Sequence, residues 1–226
     1  MNADSLEIKS ICKNFQHADS TINILQNVDF SAQPGETIAI VGPSGAGKST
    51  LLNIIGLLDV PDSGMVKLGD KELQSISQKE QEFFRGHHIG FVFQNHHLLP
   101  QLTALENVLL PTLITKSGKE NAEEILNFVG LEKRKNFYPW QISGGECQRI
   151  AIARSIMSAS KLLLCDEPTG NLDEENGQKI ISLLKSIADK NKVIVVMVTH
   201  NIQYAKQFDR CFVLRNGSLC EGALGE

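Results

Sequence analysis

Nine consecutive residues, Gly42-Pro43-Ser44-Gly45-Ala46-Gly47-Lys48-Ser49-Thr50, restrict what this chain can fold into more than any other stretch. They fit the spacing G-x-x-x-x-G-K-[ST], and their flanks suit it. Thr37-Ile38-Ala39-Ile40-Val41 reads as a short buried parallel strand, and residues 50–55 continue as a helix stopped by Gly56. Such a loop points successive backbone N–H groups at phosphates, places Lys48 on the β- and γ-phosphates and offers the Ser49 hydroxyl to Mg²⁺.

Further strands fill in the sheet. The apolar runs at 162–164 and 193–198 lack alternation, as expected of parallel strands covered on both faces. Phe212-Val213-Leu214 and Ser218-Leu219 flank Asn216-Gly217, a strong hairpin signal. In the opening third, Leu6-Glu7-Ile8, Val28-Asp29-Phe30 and Met65-Val66-Lys67-Leu68 read as strands, with Pro34-Gly35 and Gly69-Asp70 as turns, which suggests an antiparallel sheet beside the core. Residues 104–110, 119–129 and 148–157 have helical character. The expected organisation is one domain over 1–226, with a nucleotide-binding core from 1–95 and 156–226 and an inserted helical subdomain over 96–155.

Several residues fall where phosphate chemistry needs them. The strand at 161–165 runs into Asp166-Glu167 and is followed by Pro168. A carboxylate at that edge of a parallel sheet can hold Mg²⁺, the role expected of Asp166, and Glu167 is then the candidate to orient or deprotonate the attacking water. His200 follows the apolar strand 193–198 and lands on the same edge, within reach of a γ-phosphate. Gln94 follows Ile89-Gly90-Phe91-Val92-Phe93, a strand that carries its amide toward the site as a metal or water ligand. His17, His87, His88, His96 and His97 form no metal-like set with it. In Ile142-Ser143-Gly144-Gly145-Glu146-Cys147-Gln148-Arg149, Ser143 and Glu146 form a capping box, and the two glycines leave the helix N-terminus open to an anion.

Composition sets limits. At 226 residues and 42% hydrophobic content the chain buries a full core, and a formal charge of −4 provides no general basic field for nucleic acid. Lys133-Arg134-Lys135 reads as a solvated surface turn. Five cysteines, an odd number with no C-x-x-C pair, suggest free thiols in a reducing compartment, with Cys165 and Cys211 as small core hydrophobes. The first residues are acidic where a secretion signal is basic, and the longest strongly apolar run, 193–198, is far short of the about 20 residues a bilayer crossing needs. Any membrane role is expected to come through a partner.

Taken in order, Gly42 to Thr50, Gln94, Ser143-Gly144-Gly145-Glu146, the strand ending at Glu167, Asn171-Leu172-Asp173 and His200 resemble the successive motifs of ABC transporter ATP-binding subunits over essentially the whole chain. Within that family, Phe93-Gln94-Asn95-His96-His97-Leu98-Leu99-Pro100 and Asp166-Glu167-Pro168-Thr169-Gly170-Asn171-Leu172-Asp173 look most like the subgroup of lipoprotein-releasing, macrolide-export and cell-division ATPases. The resemblance implies a P-loop NTPase fold, α/β with a mainly parallel core sheet, an antiparallel β subdomain and an inserted α-helical one. It implies ATP and Mg²⁺ as cofactors, and two ATP enclosed across a twofold dimer of the chain with itself. It also implies integral membrane permease subunits as partners, no nucleic acid, and a peripheral position on the cytoplasmic side of the inner membrane. By similarity, Phe15 stacks on adenine. Gly42, Pro43, Ser44, Gly45, Ala46, Gly47, Lys48, Ser49 and Thr50 hold the phosphates, and Ser143, Gly144, Gly145 and Glu146 contact the nucleotide of the other copy. Glu167, His200, Gln94 and Lys48 are the catalytic set, Ser49, Gln94 and Asp166 the metal set, and Asp173 belongs to the loop between subunits. Glu146 stands where many relatives have glutamine and is expected to turn back onto the Ser143 N–H, with Cys147 facing away. Asn201 replaces a common aspartate beside His200. The implied task is lipoprotein release, with a mechanotransmitting envelope complex or a macrolide or peptide exporter as the alternatives.

Overall fold

The strand before the glycine loop sits inside a six-stranded sheet, flanked by strands from the far end of the chain. In the computed structural model, which describes residues 4–17, 20–116, 121–157 and 161–222, Thr37–Val41 (β3) pairs in parallel with Ile194–Thr199 (β8) and Arg210–Arg215 (β9). Leu162–Asp166 (β7) and Ile89–Phe93 (β6) continue the sheet beyond β8, also in parallel, and Ser218–Glu221 (β10) returns antiparallel on β9. Asn216 and Gly217 both have positive φ, 49° and 79°, as the tight hairpin turn between β9 and β10 requires.

The second sheet is antiparallel. Leu6–His17 (β1), Ser20–Ala32 (β2), Ser63–Leu68 (β4) and Lys71–Glu72 (β5) lie in the order β2-β1-β4-β5. β1 and β2 run well beyond the short strands read from sequence, because register shifts after Ile8, Ile11 and Lys13 break the alternation that marks a strand.

Alternating side chains of the large sheet enter two cores. Ile38, Ile40, Leu164 and Val196 join the inner face of the antiparallel sheet and Leu51, Ile54 and Ile55 of helix Lys48–Ile55 (α1). Each such fully buried side chain contributes roughly 2 kcal/mol, which is how an eight-residue helix too short to be stable alone is held in place. On the opposite face, Ala39, Val195 and Met197 meet Ile180, Ile181, Leu184 and Ile187 of helix Glu174–Asn191 (α7).

Helix Gln78–His88 (α2) precedes β6. Between β6 and β7 the chain is helical: Ala104–Leu109 (α3), Thr112–Thr115 (α4), Ala122–Phe128 (α5) and Gly144–Ile156 (α6), with 3-10 turns at Glu132–Arg134 and Pro139–Gln141. The helix read over 119–129 is described from Ala122, and Lys119 lies outside the described residues. Ala104, Val108, Leu126, Ile150 and Ala153 form a third core here, while Ile152 of the same α6 reaches the sheet core. Ile202–Ala205 (α8) follows β8. Gly56 ends α1, but at φ −86°, not in the left-handed form usual for a glycine stop. Its smallness answers crowding, since a Cβ there would lie 2.1 Å from Phe91 Cζ.

Candidate active site

The glycine loop is built by close approach. A Cβ on Gly42 would stand 2.5 Å from Leu214 O of β9, Gly45 has φ +79°, and Gly47 combines φ +96° with Ile24 Cγ2 at 2.7 Å from its missing Cβ. Ile24 reaches that position because it is the extra residue of a bulge between the pairs Lys13–Leu25 and Asn14–Asn23. Lys48, 9% exposed, folds over its own loop, and its Nζ donates to Gly42 O at 2.8 Å and Pro43 O at 3.0 Å. An ammonium has three donors, so one remains for a ligand. The unpaired N–H groups at the start of α1 face the same space.

Across the cavity, β7 and β8 deliver the acids and the histidine. Burial pushes the Asp166 carboxyl upward, against the pull of the Ser49 hydroxyl beside it. Glu167 follows with φ +46°, a left-handed turn that costs about 1 kcal/mol or more and lets its N–H donate to Val198 O at 3.0 Å. Its two oxygens are both engaged: Oε2 accepts from the fully buried Thr199 Oγ1 at 3.1 Å, and Oε1 lies 3.0 Å from His200 Nδ1. Asn201 leaves His200 alone and caps α8, accepting from Gln203 N and Tyr204 N.

Gln94 approaches from the end of β6. Its Nε2 donates to Asn171 Oδ1 at 3.1 Å, which leaves its oxygen as the atom it can offer a cation, and Asn171 Nδ2 donates back to Gln94 O at 3.2 Å. A Cβ on Gly170 would lie 2.8 Å from Gln94 Nε2, so any larger residue there would push the Gln94 amide aside. The cavity enclosed by these elements is about 630 Å³. Ser44, Gly45, Gly47, Lys48, Ser49, Thr50, Gln94, Asp166, Glu167 and His200 line it, together with Ile24, Phe93, Asn95 and His97. Those last four and Thr199 escaped the sequence reading. For Thr199 the signal was there, a hydroxyl at the last position of an apolar strand beside His200.

Other expected residues stay apart. Ser143, Gly144, Gly145 and Glu146 do not line the cavity of their own chain; the glycines face Leu172, just before α7, and Asn176 in its first turn. Phe15, 45% exposed, stands on β1 opposite Ile22, outside the cavity lining. Glu146 turns back onto Ser143. Its Oε2 accepts from Ser143 N at 2.9 Å and Ser143 Oγ at 3.0 Å, and its Oε1 from Arg134 Nε at 3.0 Å. Arg134 is therefore more than part of a solvated turn, and Lys135 pairs with Glu123. Cys147 is buried with its Sγ toward Pro139 O, and burial pushes its thiol up. Asp173 caps α7, accepting from Asn176 N at 2.8 Å. Cys165 is fully buried as expected, Cys211 only in part.

Comparison with known proteins matches this arrangement. A family model described as ABC transporter covers residues 25–170, from within β2 past Glu167. The chain is 44% identical over 223 residues to the lipoprotein-releasing system ATP-binding protein LolD of Legionella pneumophila (strain Lens), covering 97% of this chain and 98% of that protein. It is 46% identical over 201 residues to the protein of that name from Cytophaga hutchinsonii, covering 87% and 92%. Among solved structures it resembles the dimeric post-hydrolysis state of the ATP-binding cassette MJ0796 bound to ADP and Pi, with TM-score 0.87, 38% identity, and 98% and 99% of the two chains covered.

Proposed function

The chain belongs to the ABC transporter family, and from that membership we propose that it is the ATP-binding and ATP-hydrolysing subunit of a membrane transporter, working as a twofold dimer. One observation carries the reading. The phosphate loop, acids and histidine share one cavity, whereas the open helix N-terminus at Ser143 points its donors elsewhere. Two copies arranged head to tail bring that N-terminus over the cavity of the other, so each ATP is held by both.

Lys48 and the loop amides then neutralise phosphate charge from one side, and the Gly144 and Gly145 amides from the other. The oxygen donors of Ser49, Asp166 and Gln94 suit a hard cation such as Mg²⁺, which when bound withdraws charge from the β- and γ-phosphates. Glu167 orients the attacking water and accepts its proton, with Thr199 and His200 fixing the carboxylate from either side. His200, largely exposed, keeps Nδ1 on Glu167 and leaves Nε2 for the γ-phosphate. Phe15 and Ile24 offer apolar surface to the adenine. Glu146 serves as the cap that presents Ser143.

Membrane attachment comes through a partner, since no helix among the described residues is long and apolar enough to cross a bilayer. Leu58, Phe83 and Ile114 are exposed around a groove of about 760 Å³ between α2 and α4, an apolar surface suited to a permease segment. The third core supports treating 96–155 as a helical subdomain against 1–95 and 156–226. Similarity to the lipoprotein-releasing relatives supports lipoprotein release from the inner membrane as the task, with the chain on its cytoplasmic side.

Glu167→Gln tests the reading. It should abolish Mg²⁺-dependent ATP hydrolysis and accumulate an ATP-bound dimer on sizing. Equal hydrolysis by the variant and the unchanged chain, or only monomer at millimolar ATP, would overturn it.

A further inference from the structure

The segment that carries Gln94 is gripped from two sides. Asn171 holds one side, as described, and α6 holds the other. Three backbone carbonyls of residues 93–97 accept from two α6 side chains. Gln148 Nε2 donates to Phe93 O at 3.3 Å, Arg154 Nη2 to His96 O at 2.9 Å, and Arg154 Nη1 to His97 O at 2.7 Å. The half-buried His96 ring lies beside the Gly144 main chain. Gln148 is 1% exposed, and its Oε1 has no hydrogen-bond partner among the described residues. A buried acceptor left unpaired is costly, so the amide is tolerated there for the bond its nitrogen makes. The planar fork of Arg154 spans two adjacent carbonyls in a way an ammonium cannot.

We propose that Arg154 and Gln148 are positioning residues for Gln94. They fix the backbone of 93–97 against the helix whose N-terminus serves the other copy's nucleotide, so the Gln94 amide in one cavity and the Ser143 donors for the other keep a set spacing. Arg154 also lines the groove between α2 and α4, so a segment docked there meets the residue that holds Gln94. The proposal rests on the reading of Gln94 as a ligand of the nucleotide-bound cation.

Two measurements on the full chain test it, using Arg154→Met, Arg154→Lys and Gln148→Leu. In the nucleotide-free protein, deuterium exchange of amides 94–99 should accelerate about tenfold in Arg154→Met and several-fold in the other two, with amides of β3 and α1 unchanged. In hydrolysis, the half-saturating Mg²⁺ concentration should rise about fivefold in Arg154→Met, with the ATP KM at saturating Mg²⁺ unchanged. Exchange at 94–99 equal to that of the unchanged chain overturns the proposal. So does lower activity and Tm with no shift in Mg²⁺ half-saturation where Gln94→Ala does shift it, the outcome of a merely structural role. Gln94→Ala separates the two layers. If it leaves Mg²⁺ half-saturation unmoved while Arg154→Met still accelerates exchange, the ligand role of Gln94 falls and the positioning role stands.

Discussion

Replacing Glu146 by alanine strips three bonds from the start of α6. Two run from Ser143 N and Oγ to Oε2, at 2.9 and 3.0 Å, and one from Arg134 Nε to Oε1, at 3.0 Å. The cap bond to Ser143 N is worth about 1 kcal/mol net, the half-exposed ion pair less than about 1 kcal/mol, and a carboxylate on the positive end of the helix about 0.5 kcal/mol. The loss is about 2 kcal/mol, or about 6 °C in Tm for a chain of this size. Urea unfolding and calorimetry at pH 7 measure the two. Glu146→Gln keeps an acceptor for Ser143 N but gives up the charge, and should lose about half as much. The bond from Ser143 N, and then Arg134, hold the Glu146 carboxyl below the usual carboxylate range. A carboxyl lowered by folding stabilises above its unfolded pKa of about 4.3, and that contribution disappears as pH falls through the folded value. The gap between the unchanged chain and Glu146→Gln should therefore be full at pH 7 and close below about pH 4. A gap absent at pH 7, or undiminished well below about pH 4, refutes the reasoning. With Glu167→Gln added, Glu146→Ala should also raise the ATP concentration needed for dimerisation, because the Ser143 donors are no longer held.

Gly56→Ala drives a methyl group to 2.1 Å from Phe91 Cζ and 2.9 Å from Leu164 Cδ1, and should cost about 2 kcal/mol by overpacking; a second change, Phe91→Leu, should recover most of the lost Tm. Asn107 is fully buried, accepts from Leu99 N at 2.8 Å and donates to the carbonyls of Leu99, Leu102 and Thr103. Asn107→Leu orphans that N–H and should cost about 3 kcal/mol in urea unfolding.

The phosphate loop, the strand-end acids, the Asn216-Gly217 hairpin and the Ser143 cap were legible because each is a local pattern with a local physical cause. Gly56 was legible as a helix stop but not for its reason, which lies 35 residues on at Phe91. α2 went unread, since Gln78-Lys79-Glu80-Gln81-Glu82 has no apolar stripe and only its Ser77–Glu80 capping box marks it. α7 had more to show, with an Asp173 cap ahead of a helical repeat of Ile180, Ile181, Leu184 and Ile187. Arg134 and Arg154 could not be read as clamps, because their partners, Glu146 and the carbonyls of His96 and His97, are brought to them only by the fold. Ile24 entered the site through a bulge, which no periodicity announces.

α6 is seated in two cores at once, through Ile150 and Ala153 among the helices and Ile152 against the sheet. A pull on α3 or α5 cannot swing the helical region on a loose joint at residue 155; it must slide or roll α6 within both packings. Close-packed interiors resist such shear, so the helix behaves as a stiff lever with a short stroke. Force applied at the groove then reaches the Ser143 end with little lost to compliance along the way.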